Sequence, residues 1–272
     1  MTTRWPDGGE AVLCVTVHMD GPAVEAGRGL APLGARSGGR YAARRGVARY
    51  LDLLDRQGVK ATFFMCGYDA ELYPELIRQV WRAGHAIAAH GYQHEGWDLG
   101  AAEPELLERT HRILADCLRE APVGWCSPSG RKSGLTLPTL RRLGYRYDCS
   151  EKDDDRPYLA EIDGGEARDI IILPNNTVSL DDWPMYRDGQ ALPSEVLANW
   201  ITELDALVAS DGYVHLTVHP RADFGSGTPA RAAIVERFIA EALRRPGLRV
   251  VTLAALAQHC LAAPAQWKAR GQ

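Results

Sequence analysis

What most restricts the fold of this chain is the order of its apolar patterns. Short strand-like runs and longer runs with helical spacing alternate along nearly the whole sequence. Residues 11–19 read as a buried strand, with Val12, Leu13, Val15 and Val17 almost continuous. A helix is expected at 43–57, where Val47, Tyr50, Leu51 and Leu54 recur at helical spacing and Gly58 can stop it. A second strand is expected at 60–66, with Ala61, Phe63 and Met65 alternating against Thr62, Phe64 and Cys66. The pattern repeats as helix 74–83, strand 85–90, helix 104–119, strand 123–127, helix 135–143 and strand 145–149. After a polar stretch at 151–168 come strand 169–173, helix 194–209, strand 213–218, helix 229–245, strand 248–253 and helix 254–261. The Gly- and Arg-rich stretch 23–40 shows no period and reads as a loop, and 266–272 reads as a loose tail. Such alternation argues for a parallel sheet with helical crossovers. Right-handed crossovers either close these units into a barrel or wind them into an open sheet. No linker divides the chain, so one domain at 11–262 is expected, with an extension at 1–10 and a tail at 263–272.

A chain of 272 residues is long enough for one large α/β domain with a sizeable core. The net charge of −4, without a basic cluster, makes nucleic acid an unexpected partner. No apolar run is long enough to span a bilayer, so no membrane partner is expected. Residues 1–10 are polar and lack the basic-then-apolar layout of a signal peptide, which favours a cytoplasmic location. Cys14, Cys66, Cys117, Cys126, Cys149 and Cys260 form no CxxC pair and are expected as buried free thiols. Assembly into a homo-oligomer is left open.

The polar residues fall at particular places in this pattern. His18 and Asp20 follow the first strand. His90 ends the third, with His94 one loop step beyond in His90-Gly91-Tyr92-Gln93-His94-Glu95. Ser127 and Ser129 end the fourth, Asp148 lies near the end of the fifth, Asn175 follows the sixth and His219 ends the seventh. In parallel α/β folds the C-terminal strand ends open on one face, where sites are built. Imidazole is a common neutral metal ligand, and a spacing of four lets one ion touch both rings. Gly91 suggests a sharp turn between them. Other histidines read differently. His85 begins a strand and is structural, His111 lies on a polar helix face and is solvated, and His259 is structural. His215 is either a core residue or one that orients a neighbour. Asp148 equally well buttresses a ligand histidine.

With these motifs in order, the chain resembles the polysaccharide deacetylases that share the NodB-like domain of chitooligosaccharide deacetylase. The resemblance covers about 11–260. It is most similar to the intracellular branch of peptidoglycan-deacetylase-like proteins, allantoinase-like proteins and cyclic-imide hydrolases. Asp153-Asp154-Asp155-Arg156-Pro157-Tyr158 and Leu180-Asp181-Asp182-Trp183-Pro184 match that branch in particular. The resemblance implies a single-domain α/β fold, a distorted (β/α)7–8 barrel, that hydrolyses an amide with a bound divalent metal. Asp20, His90 and His94 would be its ligands, and zinc is the ion expected. His219 would be the general acid that protonates the leaving nitrogen, and Pro128 would line the cleft. Tyr92 and Ser129 would offer backbone N–H groups to the oxyanion. Arg131 would supply positive charge, and Asp153, Asn175, Asp182 and Trp183 would contact substrate or shape the rim.

Two positions depart from the family pattern. Where the family usually carries an acidic general base, this chain has His18. Where an arginine usually pairs with that base, it has Cys126. A neutral imidazole, with an ordinary pKa of about 6.5, can take a proton near neutral pH without an arginine partner. His18 is therefore a base, an additional metal ligand or a sign of lost activity. The leading expectation is N-deacetylation of a small N-acylated sugar or amine. The alternatives are ring opening of a cyclic imide or ureide, as in allantoinase-like members, and a catalytically silent ligand-binding protein.

Overall fold

The first strand, β1 (Ala11–His18), is buried along all eight residues because parallel neighbours flank it and helices cover its outer face. In this computed structural model, residues 5–96, 99–165, 167–175, 179–187 and 190–271 are described. Nine further strands follow. They are β2 (Thr62–Met65), β3 (Ala86–Ala89), β4 (Gly124–Trp125), β5 (Tyr147–Asp148), β6 (Tyr158–Glu161), β7 (Ile171–Ile172), β8 (Tyr213–Val218), β9 (Leu248–Val250) and β10 (Ala269–Gly271). They form one curled sheet in the order β10-β6-β7-β5-β4-β3-β2-β1-β8. Every pairing is parallel except β6 with β7. Beside β1, β9 takes its first half and β2 its second. The free edge of β8 is met near its top by Asp181, which bridges Thr217. The result is an incompletely closed α/β barrel.

Alternation along the strands sorts side chains into two cores. Outward residues such as Leu13, Val15 and Val17 pack under the surrounding helices. Inward residues such as Val12, Cys14, Phe64, Ala88, Tyr147 and Tyr213 fill the barrel with Leu253, Leu256 and Cys260 of the helix Leu253–Ala262. The inward set changes character along its length. It is apolar at the bottom and reaches Thr16 and His18 on β1, His215 and Thr217 on β8, and then His219 just past the end of β8. The strand period thus brings imidazoles to the top of the barrel.

All six cysteines are free, five of them buried and Cys117 half-buried. No helix among the described residues is long and apolar enough to cross a membrane.

Several expectations need correction. The stretch 151–168 contains β6, whose Tyr158, Leu159 and Ala160 are buried. The C-terminal stretch is not loose: Trp267 is buried against Trp5 at 5.7 Å and β10 pairs with β6. Trp5, within the supposed extension, also stacks on Tyr213. The stretch 23–40 holds the short helices Ala23–Ala26 and, running past its end, Gly38–Tyr41. Two further helices, Gly67–Leu72 and Asp182–Arg187, were not foreseen. His111 is half-buried with its ring on Tyr145, because its helix face packs there instead of meeting solvent.

Candidate functional site

The chain leaves β1 at His18 and turns sharply at Asp20, whose φ of 44° lies in the left-handed region. Such a backbone is costly for a residue with a Cβ and persists only where the surroundings enforce it. Asp69 does so from below, accepting hydrogen bonds from the backbone N–H groups of Gly21 and Ala23, each at 2.9 Å. The buried Arg221 donates to the Asp20 carbonyl at 2.7 Å and is paired with Glu25 and Asp223. Neither Asp69 nor Arg221 was anticipated as a support. They act through backbone groups, which leave no pattern in the sequence.

The loop after β3 is built in a similar way. Gly91 has a φ of 68° and His94 one of 54°. The Glu95 carboxylate accepts from the backbone N–H groups of Tyr92 at 3.0 Å and Gln93 at 2.7 Å. A Cβ on Gly91 would collide with that carboxylate. Glu95 therefore folds the loop back so that His94 returns to Asp20.

The two loops and the end of β8 converge. Nε2 of His94 lies 3.3 Å from Asp20 Oδ2, Nε2 of His90 lies 3.6 Å from Oδ1, and Nε2 of His219 lies 3.8 Å from Oδ2. His18 Nδ1 is 3.4 Å from His90 Nε2. His90 Nδ1 donates to the Cys126 carbonyl at 2.7 Å, which leaves Nε2 as the lone-pair nitrogen facing Asp20. The His90 lone pair and the Asp20 carboxylate thus point at one another, and Asp20 Oδ1 and His18 Nε2 are buried without hydrogen-bond partners. A cation answers that arrangement. Ligand atoms held about 2.0–2.1 Å from one ion stand roughly 3.0–3.5 Å apart. The donor atoms of Asp20, His90 and His94 all lie within 4.8 Å of one another, so the residues fit a metal.

His219 is held from behind. Its Nδ1 donates to Asp182 Oδ1 at 2.6 Å, and Asp182 Oδ2 accepts from the backbone N–H groups of His219 and Ser226 at 2.9 and 2.7 Å. Burial works against a charged ring, but Asp182, Asp20 and Asp181 lift His219 to about 9. His18 is pushed the other way, well below its ordinary value, by burial and by His90 and His219. One ring therefore favours its proton and the other its lone pair. Burial also tends to raise the Asp20 carboxyl, yet His94, His219 and His90 hold it well below the usual carboxylate range.

These groups floor a cleft of about 830 Å³. Ser129, Arg131, Asn175 and Trp183 line it, as expected from their positions. Four others do not. The Tyr92 ring packs beside Gly67, its hydroxyl donates to Glu71, and its N–H is taken by Glu95. Pro128 is wedged against Gly91 and faces a neighbouring 320 Å³ cavity. Asp153 accepts from the Tyr158 hydroxyl at 3.0 Å, away from the cleft. Asp182 is fully buried beneath His219. Asp148 pairs with Lys132 at 2.7 Å and touches no histidine directly. His215 is buried with Tyr213 and Thr16, below the cleft. His85 accepts the Ala61 N–H at 3.1 Å at the opposite end of β3, and His259 is half-buried on its helix.

The polysaccharide deacetylase family profile matches residues 39–147. A solved structure from Mycobacterium smegmatis, assigned to the polysaccharide deacetylases, is 32% identical with a TM-score of 0.87; the match covers 98% of this chain and 95% of that one. The peptidoglycan deacetylase of Helicobacter pylori is 26% identical over 258 residues, covering 83% of this chain and 87% of the relative. A solved allantoinase, 24% identical with a TM-score of 0.82, shares the fold over 95% of this chain and 93% of its own. The chain belongs to the polysaccharide deacetylase family, hydrolases of the deacetylase type.

Proposed function

We propose that this chain hydrolyses the C–N bond of an N-acyl group on a small sugar or amine, with Asp20, His90 and His94 holding a divalent cation, zinc by preference. The observation that carries this reading is the buried Asp20 Oδ1, without a hydrogen-bond partner, facing the lone-pair nitrogen of His90 at the floor of an open cleft. When bound, such an ion acidifies a water and polarises the scissile carbonyl. The chain's own residues supply the rest. His18, kept neutral by burial, takes a proton from the attacking water. His219, held by Asp182 with Nε2 toward the floor, delivers a proton to the departing nitrogen, because an amide anion is too basic to leave. Its Nδ1–H stays committed to Asp182, so the proton delivered is the one on Nε2.

Metal analysis and turnover of His90→Ala and His219→Ala test the assignment. The first should lose the metal, and the second should keep it while losing turnover. Retained turnover in both would reject these roles. Product analysis decides the bond cleaved: a deacetylase releases acetate and a free amine in equal amounts. A single ring-opened acid from a cyclic ureide would instead place the chain with the ring-opening hydrolases. His18→Asp should retain measurable turnover while His18→Ala does not. Equal loss in both, with metal loss, would make His18 a ligand instead of a base.

A further inference from the structure

We infer that Ser150 is a positioning residue for the metal ligand His90, acting through the peptide group that joins Cys126 to Ser127; this rests on the reading of Asp20, His90 and His94 as a metal site. The carbonyl of that peptide accepts the His90 Nδ1–H at 2.7 Å. Its N–H donates to Ser150 Oγ at 2.7 Å. The Ser150 hydroxyl in turn donates to Asp148 Oδ1, and Asp148 Oδ2 accepts from Lys132 at 2.7 Å. From His90 to Asp148, each N–H or O–H in this row points away from the ring and toward the carboxylate.

The row begins where the sheet ends. The Cys149 N–H still donates to the Trp125 carbonyl at 3.0 Å, as neighbouring strands do. Past that rung, the Ser127 N–H goes to the Ser150 side chain instead of a strand carbonyl. Ser150 is itself fixed, because its backbone N–H also donates to Asp148 Oδ1, at 2.9 Å. His90, Cys126, Ser127, Asp148 and Ser150 are all buried, so bulk water does not compete for these bonds. Hydrogen bonds joined head to tail polarise one another. The carboxylate draws on the serine proton and makes Oγ a better acceptor. The peptide N–H leans on Oγ, and its carbonyl oxygen gains electron density. That oxygen pulls on Nδ1–H, which fixes the ring and enriches the Nε2 lone pair facing Asp20 Oδ1 at 3.6 Å. His219 has its carboxylate directly on Nδ1, whereas His90 reaches one through a peptide and a hydroxyl. A serine that only satisfied the buried Ser127 N–H would matter for stability and not for His90.

The test compares Ser150→Ala, Ser150→Cys and Ser150→Thr in the full chain. Zinc affinity is read by competition with a chelating dye. The His90 Nδ1–H proton resonance, identified by its loss in His90→Ala, is followed in metal-free and zinc-loaded protein. Ser150→Ala should weaken zinc binding by about tenfold or more. It should also move the resonance upfield, the sense of a weaker hydrogen bond. Ser150→Thr keeps the hydroxyl and should restore both. Ser150→Cys, with a weak donor and acceptor, should fall between them, and it carries the test if the alanine variant does not fold. A lower melting temperature with zinc affinity and resonance unmoved overturns the inference. A changed KM with both unmoved also overturns it and makes Ser150, which lines the cleft, a substrate contact. Weaker zinc binding and a shifted resonance in a protein without turnover uphold the inference and reject the hydrolase. If the parent chain binds no zinc, the metal reading fails, while the metal-free resonance still upholds or overturns the link from Ser150 to His90.

Discussion

Asp182 grips His219 twice, taking its Nδ1–H at 2.6 Å on one carboxylate oxygen and its backbone N–H at 2.9 Å on the other. The same carboxylate also ties the Ser226 N–H, so one buried side chain fixes the ring, its backbone and the following turn. Asp182→Asn should lower kcat by about tenfold to a hundredfold while metal content stays unchanged. Asp182 helps raise His219 to about 9, so its neutralisation lowers that value. The alkaline limb of the kcat profile, where His219 loses its proton, should move to lower pH. A profile of kcat against pH for both proteins checks the direction.

A second prediction concerns the loop that returns His94 to Asp20. Glu95 accepts two successive backbone N–H groups there, and Gly91 has no room for a Cβ beside it. Glu95→Ala should weaken metal binding by about tenfold to a hundredfold, with helix content unchanged. Gly91→Ala should act in the same direction, because it also forces a side chain into a φ of 68°. Competition with a chelating dye, read beside circular dichroism, measures both.

The barrel and the convergence of histidines at the floor of its cleft were legible for one reason: β1 and β8 are long enough to show both a continuous apolar run and polar residues at its end. Period two then places His18 and His219 inward without further information. β6 and β10 were hidden because their pairing uses backbone groups, and three or four residues among polar neighbours show no period. Asp182 was misassigned to substrate because adjacent carboxylates in Asp181-Asp182-Trp183 look alike in sequence. Asp181 pairs with β8, and the helix beginning at Asp182 turns that side chain under His219. Tyr92 was misplaced because a turn at Gly91 reverses which way the following residue faces.

Lys132 is the half-buried cation of a further network, 2.7 Å from Asp148 and 2.5 Å from Glu151. Asp148 is fully buried and also accepts from the Ser150 N–H at 2.9 Å. Lys132→Met removes the charge and leaves Asp148 unpaired, which should cost about 3–5 kcal/mol. Adding Asp148→Asn should restore part of that loss, since a neutral amide suffers less from the missing partner. Urea unfolding of the single and double variants gives the comparison.

His85 and His215 make the fold sensitive to acid. Burial pushes each down to about 4, with Lys60 adding to the effect at His85. In the unfolded chain each would take a proton near its ordinary value of about 6.5. Between those values the unfolded chain binds more protons than the folded one, so stability is complete above about 6.5 and falls as pH drops toward 4. Each histidine contributes a slope of about 1.4 kcal/mol per pH unit in that window. In His85→Gln, the amide oxygen can still accept the Ala61 N–H but does not titrate. The variant should therefore match the parent near pH 5 or exceed it there, with a shallower acid slope. Urea midpoints taken from pH 7 to pH 4 measure it, and an unchanged slope would show that His85 is already protonated in the folded protein.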